Sequence, residues 1–257
     1  MKLRRTLIML IILFGMTLLV YFMTAEVSTR ESVQFPMNSS YQDTGDYAID
    51  PDTILSDIDQ GKTDVFRTIY ATSTTQEFES YKSIHSVSYH WSQSDYLKVA
   101  SALHRFVWNE NLNNWHIFSM YFHIGCQDNP TGFDSAKITY FKGMYGPLSY
   151  TTRVLDIYPV DNGVSWGGKA NFPHPIFGWR SVDLKKIKVT ADDALELTEA
   201  NGGQEFRLRV NNNCTIDVFI NPNPGQDDDW IVYYDSKGLS TFELHIDPYT
   251  GEFEIQH

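Results

Sequence analysis

An uninterrupted run of uncharged residues, 6–23, constrains this chain more than any other feature of its sequence. The run follows three basic residues, Lys2, Arg4 and Arg5, and no other segment of the sequence is apolar for as long. As a helix with a rise of about 1.5 Å per residue, it is about 27 Å long, close to the hydrocarbon thickness of a bilayer. The run therefore predicts one membrane-spanning helix that stays outside the folded domain.

A basic cluster followed by an apolar run is also typical of a cleaved signal peptide. Two features favour a retained anchor. The run exceeds the ~7–15 residues of a signal-peptide core, and the one plausible cleavage site, Met23-Thr24-Ala25, has a bulky Met where a small residue is preferred. The positive-inside rule keeps the basic residues in the cytoplasm in both cases. The sequence thus predicts a single-pass protein of the cell membrane, with residues 1–25 as its anchor and an extracytoplasmic C-terminal domain.

Acidic residues dominate the part of the chain that follows this anchor. All 32 of them lie after Ala25, together with all but three of the 20 basic residues, so this part has a net charge of about −15. A charge of that size disfavours binding to nucleic acid or to an anionic lipid surface, because both are negatively charged. Acidic surfaces are also commonly only solubilising, so the charge by itself identifies no partner.

Composition divides the remaining residues into four parts. Residues 26–50 are polar and poor in large apolar groups, which predicts a flexible stalk. Residues 51–170 predict a first folded unit, and residues 171–189 predict a linker next to the Gly- and Pro-rich stretch. Residues 190–257 predict a second folded unit, rich in short strand patterns separated by turn residues.

The two units show the same order of predicted elements. Each has one amphipathic helix, at 93–108 in the first and at about 191–201 in the second, followed by a run of strands. A strand, a proline turn and a glycine also recur, at 155–163 and at 244–251. The sequence therefore predicts an α+β fold of two related units, each with a helix packed across an antiparallel sheet. Coincidence is the alternative, because strand-Pro-Gly hairpins are common.

The second unit, residues 190–257, resembles the PepSY domain. Three segments carry the resemblance: the helix start Thr190-Ala191-Asp192-Asp193-Ala194 with its stop at Gly202-Gly203, the strand Trp230-Ile231-Val232-Tyr233-Tyr234, and the hairpin Ile246-Asp247-Pro248-Tyr249-Thr250-Gly251-Glu252. This family consists of small extracytoplasmic modules of protease propeptides, membrane-anchored regulators and envelope proteins. The resemblance implies PepSY- or cystatin-like units, a non-catalytic role in binding peptidases or envelope components, and no catalytic residues.

The two cysteines of the chain, Cys126 and Cys214, are a candidate disulfide pair. They are 88 positions apart, so a bond between them closes a long loop. In the chain-entropy account such a bond contributes about 4–5 kcal/mol, and it persists in an oxidising compartment. Two separately buried thiols are the alternative, since spacing alone does not decide between them. The spacing fits no zinc-binding or redox motif.

Histidines cluster in the first unit, at His85, His90, His104, His116 and His123. In a strand, the members of the His85/His90 and His116/His123 pairs lie on opposite faces, which is poor geometry for one metal ion. No HExxH pair occurs on a helix. We therefore predict no metal site and no cofactor. An envelope hydrolase or metal-dependent enzyme that uses these histidines stays as the alternative.

Exposed aromatic side chains suggest a further alternative, the binding of cell-wall glycans by stacking. Most tryptophans lie in periodic segments and are better explained as core residues. Trp166 and Trp179, which flank the Gly- and Pro-rich stretch, are the best candidates for exposure.

No catalytic motif emerges from the sequence. It contains no G-x-S-x-G elbow, no dinucleotide fingerprint and no phosphate-binding loop. We therefore predict a non-catalytic, membrane-anchored, extracytoplasmic bacterial protein that binds a protein partner such as a peptidase or an envelope complex.

Overall fold

The described part of the chain is built around one ten-stranded antiparallel sheet. A computed structural model describes Gly15 and residues 43–68, 89–127, 130–143, 150–172, 181–221, 228–237 and 240–256. The strands are β1 Asp43–Ala48, β2 Arg67–Thr68, β3 His116–Gly125, β4 Ser135–Gly143, β5 Tyr150–Tyr158, β6 Gly163–Phe172, β7 Thr215–Ile220, β8 Trp230–Asp235, β9 Thr241–Ile246 and β10 Phe253–Gln256. Across the sheet they follow the order β10-β9-β8-β7-β3-β4-β5-β6-β1-β2.

Helices occupy the connections before each long run of strands. They are α1 Ile54–Asp59, α2 Gln93–Trp108, α3 Ala191–Thr198 and α4 Gln204–Arg209. A π-helical turn, Glu199–Gly203, joins α3 to α4, and two 3₁₀ turns span Leu112–Asn114 and Pro159–Asp161. Both predicted helix starts are present, because Ser92 with Asp95 and Thr190 with Asp193 form reciprocal capping boxes.

The N-termini of α2 and α3 meet, and a side chain of each helix accepts a hydrogen bond from a backbone N–H of the other. The Gln93 side chain accepts a hydrogen bond from the Ala191 backbone N–H at 2.7 Å. The Asp192 carboxylate accepts one from the Gln93 backbone N–H at 2.8 Å. The first N–H groups of a helix have no hydrogen-bond acceptor within the helix. These two bonds supply one acceptor to the first turn of each helix. It also ties the two helices together on one face of the sheet.

The hydrophobic core lies between these helices and the sheet. Alternate residues of the central strands are fully buried beneath α2 and α3, among them Met120, Phe122, Ile138, Leu155, Ile216, Val218, Trp230, Val232, Tyr234 and Leu244. The indole of Trp230 donates to the Val189 carbonyl oxygen at 2.8 Å, so this large side chain buries no unpaired polar group.

The prediction of an α+β fold made of two separate PepSY- or cystatin-like units is wrong. Each half does contain a helix that is followed by four strands. However, β3 pairs with β7 from Met120↔Ile220 to Gly125↔Thr215, so all ten strands join one sheet and the fold is mainly β. The edge of a strand carries unpaired N–H and C=O groups, and pairing the edges of β3 and β7 satisfies both rows. That bonding uses the backbone, and side-chain patterns do not reveal it.

The predicted membrane-spanning helix, and the single-pass localisation and membrane partner that depend on it, are corrected by the structure. Among the described residues, no helix is long and apolar enough to cross a membrane. The longest of them, α2, has 16 residues and buries only one of its faces. Apart from Gly15, residues 6–23 lie outside the described part of the chain. The prediction depended only on the length and apolarity of that run.

Two described segments fall within the predicted stalk and linker. In residues 26–50, β1 pairs with β6 in the sheet. In residues 171–189, Val182 forms an isolated bridge with Ile117, next to the position that β7 occupies along β3. Both segments therefore contribute backbone hydrogen bonds to the sheet.

Candidate binding surface

The face of the sheet opposite α2 and α3 is the candidate binding surface. Side chains alternate between the two faces along a strand, and in β7 and β8 every second residue is buried beneath the helices while the others are partly exposed. The name open face is used below for the side chains of Tyr121, His123, Lys137, Asp156, Asp217, Phe219, Ile231, Tyr233, Asp235, Glu243, His245 and Glu254. The described helices pack on the other side.

Apolar and aromatic side chains occupy the centre of the open face. Tyr121 faces Phe219 across the β3–β7 pair, and Phe219 faces Ile231 across the β7–β8 pair. The Tyr121 and Phe219 rings are stacked, with centroids 6.1 Å apart and an angle of 26° between their planes. Tyr121 keeps 38% of its surface exposed. The central strands thus present a contiguous apolar patch to the outside of the sheet.

A histidine–carboxylate pair lies beside these rings. His123 in β3 and Asp217 in β7 are cross-strand neighbours, and the imidazole Nδ1 is 2.6 Å from the carboxylate Oδ1. Burial, and next the nearby Asp217 carboxylate, raise the pKa of the Tyr121 phenol. The phenol therefore stays protonated and uncharged at physiological pH, as a hydrogen-bond donor beside an apolar patch.

Charged side chains surround the apolar centre, and carboxylates are in excess. His245 Nε2 is 2.5 Å from Glu243 Oε1 in β9, and Glu254 of β10 faces His245. On the other side of the centre, Lys137 Nζ is 3.3 Å from Asp156 Oδ1. Burial raises the pKa of the Asp156 carboxyl group, and the nearby Lys137 ammonium group partly offsets this increase. The open face is therefore acidic around an aromatic centre.

A serine lies on the other side of His123, which invites comparison with a hydrolase. Ser135 in β4 is the cross-strand partner of His123, so Asp217, His123 and Ser135 form one row across three strands. Among the described residues, no hydrogen bond joins the Ser135 and His123 side chains. A serine nucleophile requires that its hydroxyl group lie at or near hydrogen-bond distance from the histidine. It also requires hydrogen-bond donors for the oxyanion that forms. The row therefore lacks the hydrogen bond that would mark a catalytic triad.

A half-buried arginine in the first half lies against a histidine whose pKa is strongly lowered. The Arg153 guanidinium lies 4.2 Å from the Trp108 ring centroid and 4.1 Å from that of Trp115. Its Nη1 is 2.7 Å from His104 Nε2, and burial lowers the pKa of His104 to about 4. A neutral imidazole can accept this bond, while its Nδ1–H donates to the Glu110 carbonyl oxygen at 3.1 Å. This packed cluster ties α2 to β5.

The second half buries an arginine almost completely, and the sequence pattern missed it. Arg207 donates through Nε to Glu199 Oε1 at 2.9 Å and through Nη1 to Asn212 Oδ1 at 2.9 Å. The Tyr234 hydroxyl donates to the same Glu199 oxygen at 2.7 Å. The helix is interrupted at Gly202, as predicted, because Asn201 and Gly202 have non-helical backbone angles, with a φ of 121° at Gly202. The helix α4 begins directly after this kink and brings Arg207 to Glu199, eight residues earlier in the chain.

A cavity of 560 Å³ lies beside this arginine, lined by α3, the π-helical turn, α4 and residues 130–132. Three of its four acidic residues have structural roles. Glu199 pairs with Arg207, Asp192 caps α2 and Asp193 caps α3. These three groups therefore stabilise helix ends and the buried arginine, while the fourth, Glu196, is exposed.

The structure joins Cys126 and Cys214 in a disulfide, with their Cα atoms 5.2 Å apart. The bond links the residue after β3 to the residue before β7. The Cys126 backbone N–H also donates to the Cys214 carbonyl oxygen at 3.0 Å. The disulfide therefore extends the central β3–β7 pair by one further cross-strand contact.

Of the two candidate glycan-binding tryptophans, Trp179 lies outside the described residues. Trp166 is half-buried and meets the Trp108 ring edge to face, with centroids 5.2 Å apart. It also packs on Gly45, where a Cβ atom would lie 2.8 Å from the indole Nε1. Within the described part of the chain this buried Nε1 has no hydrogen-bond partner. Trp166 thus packs against its neighbours instead of presenting a free stacking face.

The histidines of the first half are dispersed. His85 lies outside the described residues, while His90 Nδ1 is 2.5 Å from the Thr131 carbonyl oxygen and His116 packs beside the Phe141 ring. In the described ranges, no group of three or more His, Cys, Asp or Glu side chains could hold a metal ion. These ranges therefore provide no ligand set for the metal-dependent alternative.

The sequence contains a signal for the aromatic residues of the open face that the sequence analysis did not use. Phe219 and Asp217 are two residues apart and share a face, as do Tyr121 and His123. In a strand, a large apolar residue two positions from a polar one lies on the same face as that polar residue. This spacing therefore indicates an apolar side chain on the outer face of the sheet.

Comparisons of this chain with known protein families, with curated proteins and with solved structures find no match. The resemblance of residues 190–257 to the PepSY domain therefore stays a prediction. Function is inferred from the geometry of the open face.

Proposed function

We propose that this protein is a non-catalytic binding protein that recognises a protein partner through its open face. The stacked Tyr121–Phe219 pair at the centre of a partly exposed sheet face is the observation that carries the proposal. Protein interfaces combine an aromatic, apolar centre with a polar rim, and aromatic anchors supply much of the binding energy. The open face has this arrangement.

The scaffold beneath the open face supports a binding role. Each strand that carries its apolar centre is hydrogen-bonded on both sides, and the disulfide lies at the end of the central β3–β7 pair. A rigid surface loses little conformational entropy when it binds, so more of the contact energy remains as affinity. The resemblance of residues 190–257 to the PepSY domain adds a peptidase or an envelope protein as candidate partners.

Site-specific photo-crosslinking tests the proposal. p-Benzoylphenylalanine replaces Tyr121 in one variant of the full-length protein and Phe253 in a matched control. Phe253 is an aromatic residue with 44% exposure, and its cross-strand partner is the buried Ile246, so it belongs to the helix-side row. Both variants are irradiated in cells and analysed by mass spectrometry.

We expect one dominant protein adduct at position 121 and no such adduct at position 253. Phe219→Ala, added to the variant with the photoreactive residue at position 121, should reduce the amount of that adduct. No adduct at position 121, or the same adducts at both positions, contradicts the proposal. Thermal unfolding of each variant confirms that the photoreactive residue has not disturbed the fold.

A further inference from the structure

The charges of the open face indicate what kind of polypeptide it fits. We infer that the open face binds a basic segment of its partner, in which Lys or Arg side chains alternate with apolar ones. This inference rests on the proposed function and adds the chemistry of the partner segment.

Carboxylates outnumber cationic groups on this face. Its five carboxylates are Asp156, Asp217, Asp235, Glu243 and Glu254, whereas its one ammonium group, on Lys137, lies beside Asp156. The Asp217 and Glu243 side chains keep 21% and 33% of their surface exposed, so both remain within reach of a ligand. A cationic segment gains from this field, and an anionic one is repelled.

The aromatic centre favours the same ligand. The faces of phenol and phenyl rings attract ammonium and guanidinium groups, and Tyr121, Phe219 and Tyr233 lie on neighbouring strands among the carboxylates. Phe219 and Ile231 need apolar contacts as well, since their surfaces have no polar group to offer. An alternation of cationic and apolar side chains meets both requirements.

Other occupants fit this face less well. A second copy of the chain would bring the same excess of carboxylates against it, and like charges across an interface are costly. An anionic lipid surface or a nucleic acid is repelled for the same reason. A neutral glycan stacks on the rings but gains nothing from the excess of carboxylates around them.

The dimensions of the face set the length of the segment. One cross-strand row runs from Glu254 in β10 through His245, Ile231, Phe219, Tyr121 and Lys137 to Asp156 in β5. Six strand spacings of about 4.8 Å make this row about 29 Å long. An extended segment of about nine residues covers that length.

Fluorescence anisotropy with three labelled peptides tests the inference. The probes are repeats of Arg-Leu, Ser-Leu and Glu-Leu, each about ten residues long, titrated with the full-length protein. We expect the Arg-Leu peptide to bind about tenfold tighter than the Ser-Leu peptide, and the Glu-Leu peptide not to bind. The double variant Asp217→Asn/Glu243→Gln and the single variant Tyr121→Ala each weaken Arg-Leu binding about tenfold.

The matched control neutralises two exposed carboxylates of the helix layer, in Glu196→Gln/Glu205→Gln. It changes the net charge by the same amount as the double variant of the open face, and Arg-Leu binding stays within about twofold of the unmodified protein. An equal loss in both double variants means general charge attraction and overturns the inference.

The remaining outcomes separate the inference from the proposed function. Equal binding of the Arg-Leu and Ser-Leu peptides, lost in Tyr121→Ala, overturns the choice of a basic segment and leaves the proposed function standing. Binding of none of the peptides also overturns the inference, while crosslinking at position 121 decides the proposed function independently. A concentration-dependent dimer in sedimentation that Tyr121→Ala abolishes assigns the face to a second copy and overturns the inference as well.

Discussion

The two faces of the central sheet belong to the same strands but meet different environments. Along β8, Trp230, Val232 and Tyr234 have no exposed surface, whereas Ile231 and Tyr233 between them are partly exposed. The helix-side residues are surrounded by protein on all sides, so their replacement leaves a cavity. Those of the open face can be replaced with little loss of packing. The comparison separates residues that stabilise the fold from residues available for recognition.

The largest contrast is expected between neighbouring aromatics of β8. Trp230→Ala lowers the free energy of unfolding by about 3–5 kcal/mol, because it removes the largest fully buried side chain and leaves a cavity. Tyr233→Ala, on the open face, costs about 1 kcal/mol or less. Chemical denaturation of both variants measures the difference. Equal losses would show that the open face is packed as tightly as the core.

The two faces also differ in how they hold carboxylates. Glu199→Gln leaves the buried Arg207 guanidinium without its charged partner and costs about 3 kcal/mol of unfolding free energy. Glu243→Gln on the open face is the matched control and changes stability by about 0.5 kcal/mol or less, since its partner His245 is solvent-accessible. Denaturation at pH 7 compares the two, and a similar cost for both would contradict the contrast.

A pH effect is expected from the helix side. Because burial lowers the pKa of His104 from 6.5 to about 4, the unfolded chain binds a proton between these values and the folded one does not. Stability is therefore fully present above about pH 6.5 and falls by about 2–3 kcal/mol as the pH decreases towards 4. His104→Gln, which cannot titrate, shows a shallower decrease in denaturation series over this pH range. An unchanged slope in that variant would assign the decrease to other groups.

At the centre of the open face, a small change in stability is expected together with a large change in binding. Tyr121→Ala alters the free energy of unfolding by about 1 kcal/mol or less, yet it weakens binding of the Arg-Leu peptide about tenfold. Denaturation and anisotropy on the same preparation measure both quantities. A variant that loses stability and binding together would place Tyr121 with the core residues.

Local elements were predictable because their signals lie within a few residues. The capping pairs Ser92/Asp95 and Thr190/Asp193 form as their spacing predicts. The β9–β10 hairpin also forms at the predicted Asp247 turn. By contrast, the Arg207–Glu199 pair depends on how α4 follows the kink at Asn201 and Gly202, and no local pattern specifies that geometry.

The sequence by itself determined where α2 and α3 begin, where the β9–β10 hairpin turns and which cysteines were available to pair. Only the tertiary structure decided that β3 and β7 join two runs of strands into one sheet, because backbone hydrogen bonds along an edge are the same for any side chain. That junction brings Tyr121 against Phe219, 98 positions further along the chain. The candidate binding surface therefore arises from strand pairing, which the sequences of β3 and β7 do not encode separately.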